Sequence, residues 1–126
     1  MRSRQLIFVF AAAVLWAGGA RAADADDFRF HSYPNPFVAG YTAAKFVYTL
    51  PSAATISLYI YDAEGPLVRT LATTAARSRG FHDNDERWDG RDENGEFVAP
   101  GPYVAVLEVR TQGEVYRVSR VVIVKR

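Results

Sequence analysis

Thr55-Ile56-Ser57-Leu58-Tyr59-Ile60-Tyr61 alternates without a fault. Ile56, Leu58 and Ile60 share one face, and Ser57, Tyr59 and Tyr61 share the other. Successive strand side chains point to opposite faces of a sheet, so period two over seven residues predicts a half-buried β-strand. Upstream, Phe46, Tyr48 and Leu50 repeat the pattern over Lys45 to Leu50, and Pro51-Ser52 ends it. Downstream, Asp62-Ala63-Glu64-Gly65 reads as a turn, with Leu67 to Thr73 as the returning strand. Ala75 to Asp85 is polar and irregular, and Glu86 to Asp89 carries Trp88 into a short strand. Asn94-Gly95 is a hairpin pair in which both residues tolerate positive φ. Tyr103 to Arg110 and Val115 to Val124 complete the chain as two more strands, with Gln112-Gly113 turning between them.

At the other end, Phe28-Arg29-Phe30 alternates and predicts a short first strand. In Tyr33-Pro34-Asn35-Pro36-Phe37, two prolines remove backbone donors and hold the chain extended. That segment is a rigid corner whose Tyr33 and Phe37 are expected to pack down. With about seven strands and turn signals between them, the expected architecture is all-β: an Ig-like or fibronectin-like antiparallel β-sandwich. The core is predicted from Phe46, Tyr48, Ile56, Leu58, Ile60, Leu71, Trp88, Tyr103, Ala105, Leu107, Val122 and Val124. Tyr103 follows a Pro-Gly corner, as the corner tyrosine of Ig-like folds does. Ala105 stands where antibody domains place their second cysteine, but Trp88 lies on the fifth predicted strand and not on the third.

The first 22 residues read as an address. Arg2 and Arg4 precede an uncharged run from Leu6 to Ala17, and Ala20-Arg21-Ala22 supplies the small-x-small pattern of a cleavage site. The run is about a dozen residues, whereas a spanning helix needs about 20, so no membrane span is expected after cleavage. The expected division is a signal peptide over 1–22, a short lead-in over 23–32 and the sandwich over 33–126. The formal net charge of the whole chain is +1. Removing 1–22 takes away Arg2, Arg4 and Arg21 and no acid, which leaves a net charge of −2. Nothing in that balance points to a nucleic acid partner. The chain has no cysteine, which excludes a disulfide framework and a thiolate metal site. The expected location is the periplasm, the cell surface or the extracellular space.

Several groups invite chemistry. Asp83, Asp85, Glu86, Asp89, Asp92, Glu93 and Glu96 cluster closely, and oxygen ligands on loops suit calcium. An EF-hand register with Gly95 at its turn puts Gly90 and Gly101 at the first and last ligand positions, where neither supplies a carboxylate. Arg87 and Arg91 interleave and neutralise the acids, so a solvated loop with local turn bonds is the expectation, and no metal is assigned. Trp88 with Tyr59 and Tyr61 suggests stacking on a carbohydrate, set against a core role for Trp88 at a Trp-Asp-Gly corner. His31 and His82 are the only histidines. His82 beside Asp83 suggests a catalytic pair, yet neither a nucleophile elbow nor a metal-binding His pair accompanies it. No catalytic residue or cofactor is assigned. Arg110, Arg117 and Arg120 on the last strands are expected to protect a sheet edge against aggregation. The candidate interaction loop is Asp83, Asp85, Glu86, Arg87, Arg91, Asp92 and Glu93, because loops on a rigid scaffold carry most recognition. Strand addition at a free edge is the expected binding mode.

Taken together, the motifs run in the order of one family. They are Tyr33-Pro34-Asn35-Pro36-Phe37, Phe46-x-Tyr48-x-Leu50-Pro51, Ile60-Tyr61-Asp62-x-x-Gly65, Trp88-Asp89-Gly90-Arg91-Asp92-x-x-Gly95 and Gly101-x-Tyr103. The sequence resembles the Ig-like domain of the flagellar hook-cap protein, the FlgD-type Ig-like domain, which also occurs at the C-termini of secreted bacterial proteins. Val38-Ala39 departs from the Asn-Pro that often follows the opening motif. The resemblance implies a non-catalytic module for structural assembly or protein binding in the bacterial cell envelope. Its partner would be an envelope or secreted protein, or a second copy of itself. Residues 103–126 also resemble the C-terminal sorting domains of type IX secretion, which gives a second implied role.

Overall fold

A computed structural model describes residues 21–22 and 25–126. The expected signal segment up to Ala20 lies outside the described residues. In chain order the elements are β1 (Arg21–Ala22), α1 (Ala25–Phe28), β2 (His31–Tyr33), β3 (Phe37–Val38) and β4 (Ala44–Leu50). There follow β5 (Ala54–Asp62), β6 (Leu67–Arg77), β7 (Gly80–Trp88), β8 (Gly101–Thr111) and β9 (Glu114–Lys125). Two sheets pack face to face as a β-sandwich. The larger runs β1-β9-β8-β5-β6, with β3 also on β9, and the smaller runs β2-β4-β7.

Register explains the core. In the larger sheet Ile56, Leu58 and Ile60 stand opposite Val109, Leu107 and Ala105, so one unbroken apolar face points inward. In the smaller sheet Ala44 stands opposite Trp88, and Phe46, Tyr48 and Leu50 repeat on the same face. All of these side chains are buried. Of the predicted core only Leu71 falls short, being half-buried against the cluster.

Three local expectations need correction. Phe28-Arg29-Phe30 is not a strand: Phe28 ends the single turn α1, and Arg29 takes a left-handed φ of 53°. Phe28 and Phe30 enter the core, and Phe30 stacks on Phe46 at 6.0 Å. β2 runs from His31 to Tyr33 and joins this segment to the sandwich. In the proline corner Phe37 packs down, but Tyr33 stays 66% exposed because β2 turns it to the outer face of the small sheet. Ser57 and Tyr61 are buried although they point away from the core.

Both edges of the larger sheet are occupied in part by side chains. β1 and β3 pair in parallel with the two ends of β9. Between them, the Asn35 amide acts as a strand segment: its Nδ2 donates to Val121 O at 2.8 Å and its Oδ1 accepts Ile123 N–H at 2.9 Å. The flanking prolines have no N–H to give, so the Asn35 side chain supplies the bonds that the backbone lacks. Arg110 does not guard an edge. It sits on β8, inside the sheet, and pairs with Glu108 at 3.2 Å, as Arg117 does at 2.8 Å.

Trp88 is fully buried, with its ring edge-on to Phe37 at 5.6 Å and to Tyr103 at 5.4 Å. It therefore ties β7 of the small sheet to β3 and β8 of the large one. Trp88→Ala is expected to lower the unfolding free energy by about 3–5 kcal/mol, the range for deleting a large aromatic from a packed core. Urea denaturation followed by far-UV dichroism measures the change.

Candidate functional site

The segment after Trp88 is built by its own side chains. The Trp88 indole N–H donates to Arg91 O at 2.9 Å, and Asp89 Oδ1 accepts Arg91 N–H at 3.0 Å. Gly90, between them, has φ 90°, and a Cβ there would lie 2.9 Å from the Ala39 Cβ. Only glycine fits both the backbone and the space. Asp92 then forms the turn: its Oδ1 accepts the N–H of Asn94 at 2.9 Å and of Glu96 at 3.0 Å, while Gly95 N–H bonds Asp92 O. Of Asn94-Gly95 only Gly95 is left-handed, because the Asp92 carboxylate already holds Asn94 N–H in a right-handed turn. Asp62-Ala63-Glu64-Gly65 repeats the device, with Asp62 Oδ1 accepting Glu64 N–H at 2.9 Å. Arg91 lies over the Phe97 ring at 4.0 Å, and its Nη1 donates to Gly95 O.

Glu93 reaches out of this loop to the outer edge of β6. Its Oε2 accepts Thr70 N–H at 2.9 Å, and its own N–H donates to Val68 O at 3.1 Å. Arg69 adds a bond from Nη1 to Arg91 O at 3.1 Å. The first half of that edge is thus closed by the loop. Further along, Thr74 adopts a left-handed φ of 47° and gives its N–H to Ser57 Oγ at 2.9 Å, a bulge that breaks the strand rim. Strand addition, the expected binding mode, meets a large sheet whose edges are filled or bent.

The rest of the predicted loop is not loop. Asp83, Asp85, Glu86 and Arg87 lie on β7, which starts at Gly80. The alternation was hidden because the ladder jumps from Tyr48 opposite His82 to Phe46 opposite Glu86, leaving Asp83 to Asp85 as a bulge. Glu86 is only 3% exposed. Its Oε1 accepts the Tyr48 hydroxyl at 2.8 Å, and its Oε2 accepts Arg77 Nη2 at 2.5 Å. Arg77 arrives from β6, so this buried pair joins the two sheets at their open side. Burial and the Glu86 carboxylate raise the Tyr48 pKa well above its ordinary 10.0. For Arg77, burial pulls the other way, but Glu86 and Tyr48 outweigh it and hold the guanidinium above its ordinary range.

His82 does not pair with Asp83. Its Nδ1 meets Asp85 Oδ2 at 2.7 Å and its Nε2 meets the Ser78 carbonyl at 2.8 Å, while its ring stacks on Tyr48 at 5.2 Å. Ser78 enters through its backbone oxygen and not its hydroxyl, so the three residues lack the geometry of an activated nucleophile. Trp88 offers no face to a sugar. Tyr61 is buried beside the Glu108 and Arg117 pair; burial and Tyr59 raise its pKa. Tyr103 donates its hydroxyl to Ala99 O at 2.6 Å, the tyrosine corner expected of the fold. Of the seven acids, Asp89 and Asp92 hold turn amides, Glu93 caps a sheet edge, Glu86 pairs with Arg77 in the interior and Asp85 meets His82. Among the described residues no three His, Asp or Glu side chains converge on a common point for a metal ion.

A family model described as the FlgD Ig-like domain matches residues 35–113. Among solved structures, FLGD from P. aeruginosa superposes with a TM-score of 0.56 at 20% identity, covering 75% of this chain and 69% of that one. The sulfur carrier protein SoxY from Chlorobium limicola f thiosulfatophilum superposes with a TM-score of 0.49 at 17% identity, over 92% and 94% of the two chains. No curated protein matches this sequence.

The buried pair gives a test of whether these charges serve the fold. Arg77→Met is expected to cost about 3–5 kcal/mol, because it strands the Glu86 carboxylate. Adding Glu86→Leu is expected to recover most of that loss in chemical denaturation, since an apolar pair of similar volume commonly replaces a buried ion pair without penalty. The pH dependence follows from the raised tyrosine. The unfolded chain releases the Tyr48 proton near pH 10.0 while the folded one keeps it. Stability is therefore intact below that pH and falls above it, by about 1.4 kcal/mol per pH unit for this one group. Denaturation midpoints from pH 8 to 12 are expected to show a shallower fall in Tyr48→Phe.

Proposed function

Because the chain belongs to the FlgD Ig-like domain family, we propose that it is an exported, non-catalytic module for structural assembly or protein binding in the bacterial cell envelope. The family is a structural one. The observation that carries the reading is the use of the reactive side chains: Glu86, Glu93, Asp89, Asp92, His82 and Asp85 are each committed to a fold-building contact. An active site needs groups that are held in place yet left free to meet a substrate. What remains is a rigid body with its loops tied down, suited to presenting a fixed surface. The small-x-small pattern at Ala20-Arg21-Ala22 supports export, and the coverage by the family of most of 33–126 supports a module that works by contact.

Intact mass and cell fractionation of the native protein test this reading. A chain of Ala23–Arg126 in the periplasm or medium, cross-linked to an envelope or secreted protein or to itself, is the expected result. Cytosolic protein retaining Met1 and giving no cross-linked species overturns it.

A further inference from the structure

The outer face of the small sheet holds a hollow of about 640 Å³, lined by Arg29, His31, Val47, Thr49, Phe81 and Arg120. These residues come from β2, β4, β7, β9 and the turn after α1, so the hollow is a product of the tertiary fold. His31 stands opposite Val47, and Thr49 stands opposite Phe81, which puts four of the linings on one sheet face. No acid lines it. Arg120 uses Nε to donate to Phe30 O at 2.9 Å, which fixes its guanidinium at the rim. Arg29 is held in its left-handed backbone by the His31 ring, whose Nδ1 meets Arg29 O at 3.0 Å. Strained backbone of this kind persists where neighbours enforce it and is concentrated at binding surfaces. Neither arginine has a carboxylate partner among the described residues. Phe81 stands 66% exposed beside them, so its ring is open to contact from outside.

We propose that this hollow docks an acidic segment of a partner protein, taking its carboxylates on Arg29 and Arg120 and an apolar side chain over Phe81 and Val47. Guanidinium and carboxylate match as planar, two-point partners, and these two cations await such a pairing. Lys45 and Arg87, opposite one another on β4 and β7, extend the positive charge along the same face. A membrane surface fits less well, because the acidic bulge Asp83 to Asp85 lies on the adjoining strand and the chain after 1–22 carries a net charge of −2. A flat anionic surface would meet both, whereas a narrow peptide meets only the hollow. The proposal rests on the reading of the chain as a binding module and names the surface that binds.

The test is titration of the full chain with the peptide acetyl-Glu-Phe-Glu-Leu-Glu-amide and with its Gln counterpart, followed by ¹⁵N chemical shifts. The expected result is saturable shifts at Arg29, His31, Phe81 and Arg120 with the Glu peptide, and about tenfold weaker binding of the Gln peptide. Arg29→Glu and Phe81→Ala, both at exposed positions, are expected to keep the melting temperature and each to weaken the Glu peptide by about fivefold or more. Equal binding of the two peptides, or binding unchanged in both variants, overturns the proposal. So does a preference for phosphatidylglycerol vesicles over the peptide, or self-association that depends on the same two residues. If Arg29→Glu with Phe81→Ala still cross-links to an envelope partner in cells, the module reading stands and this hollow is the part that fails.

Discussion

Trp88 is the point at which this sandwich is fastened. A β-sandwich without a disulfide holds its sheets together by the fit of two apolar faces, and that fit has no direction of its own. Trp88 supplies direction. Its ring meets Phe37 on one side and Tyr103 on the other, so three strands from two sheets share one contact. Its N–H then sets Arg91 O, which starts the turn that carries Glu93 to the edge of β6. Tyr103 in turn anchors Ala99. The Trp-Asp-Gly corner is therefore one mechanical unit, and Gly90 is confined to glycine because the unit presses it against Ala39.

Polar groups finish what the core begins. A small domain buries less of its surface than a large one and has little margin for unsatisfied edges. Here Asn35 completes β9 where two prolines leave the backbone without donors. Glu93 closes the first half of β6, and the Thr74 bulge bends the rest. Glu86 is the costliest choice, a carboxylate on the inner face of β7, and it is tolerated because Tyr48 and Arg77 meet both its oxygens. Since Arg77 comes from the opposite sheet, the pair fixes how the two sheets slide relative to one another, which apolar packing alone specifies weakly.

Legibility in the sequence followed the regularity of each strand. β4, β5, β8 and β9 are straight, paired strands, and their period of two placed Phe46, Tyr48, Ile56, Leu58, Ile60, Leu107 and Val122 in the core. β7 and the second half of β6 are bulged edge strands, where an inserted residue resets the alternation, and they read as irregular polar chain. Phe28-Arg29-Phe30 mimicked a strand because a single helical turn followed by a left-handed residue also buries the first and third positions. The acidic cluster was legible as composition but not as geometry. Nothing in the spacing of Glu86 and Glu93 tells that one is buried and the other caps a distant strand.

The same difference bears on where recognition can occur. A family motif such as Trp88-Asp89-Gly90-Arg91-Asp92 draws the eye as a functional signature, yet its side chains point back into the fold and are used there. The residues that line the outer hollow are scattered in sequence: Arg29 and His31 near the start, Phe81 in the middle and Arg120 near the end. They meet only because β2, β4 and β7 lie side by side and Arg120 reaches around from β9. In a sandwich whose large sheet has its edges partly filled and partly bent, unpaired charge is left on the outer face of the small sheet. Free charge and an exposed ring are brought together there by strand register and by the reach of Arg120 across from the other sheet.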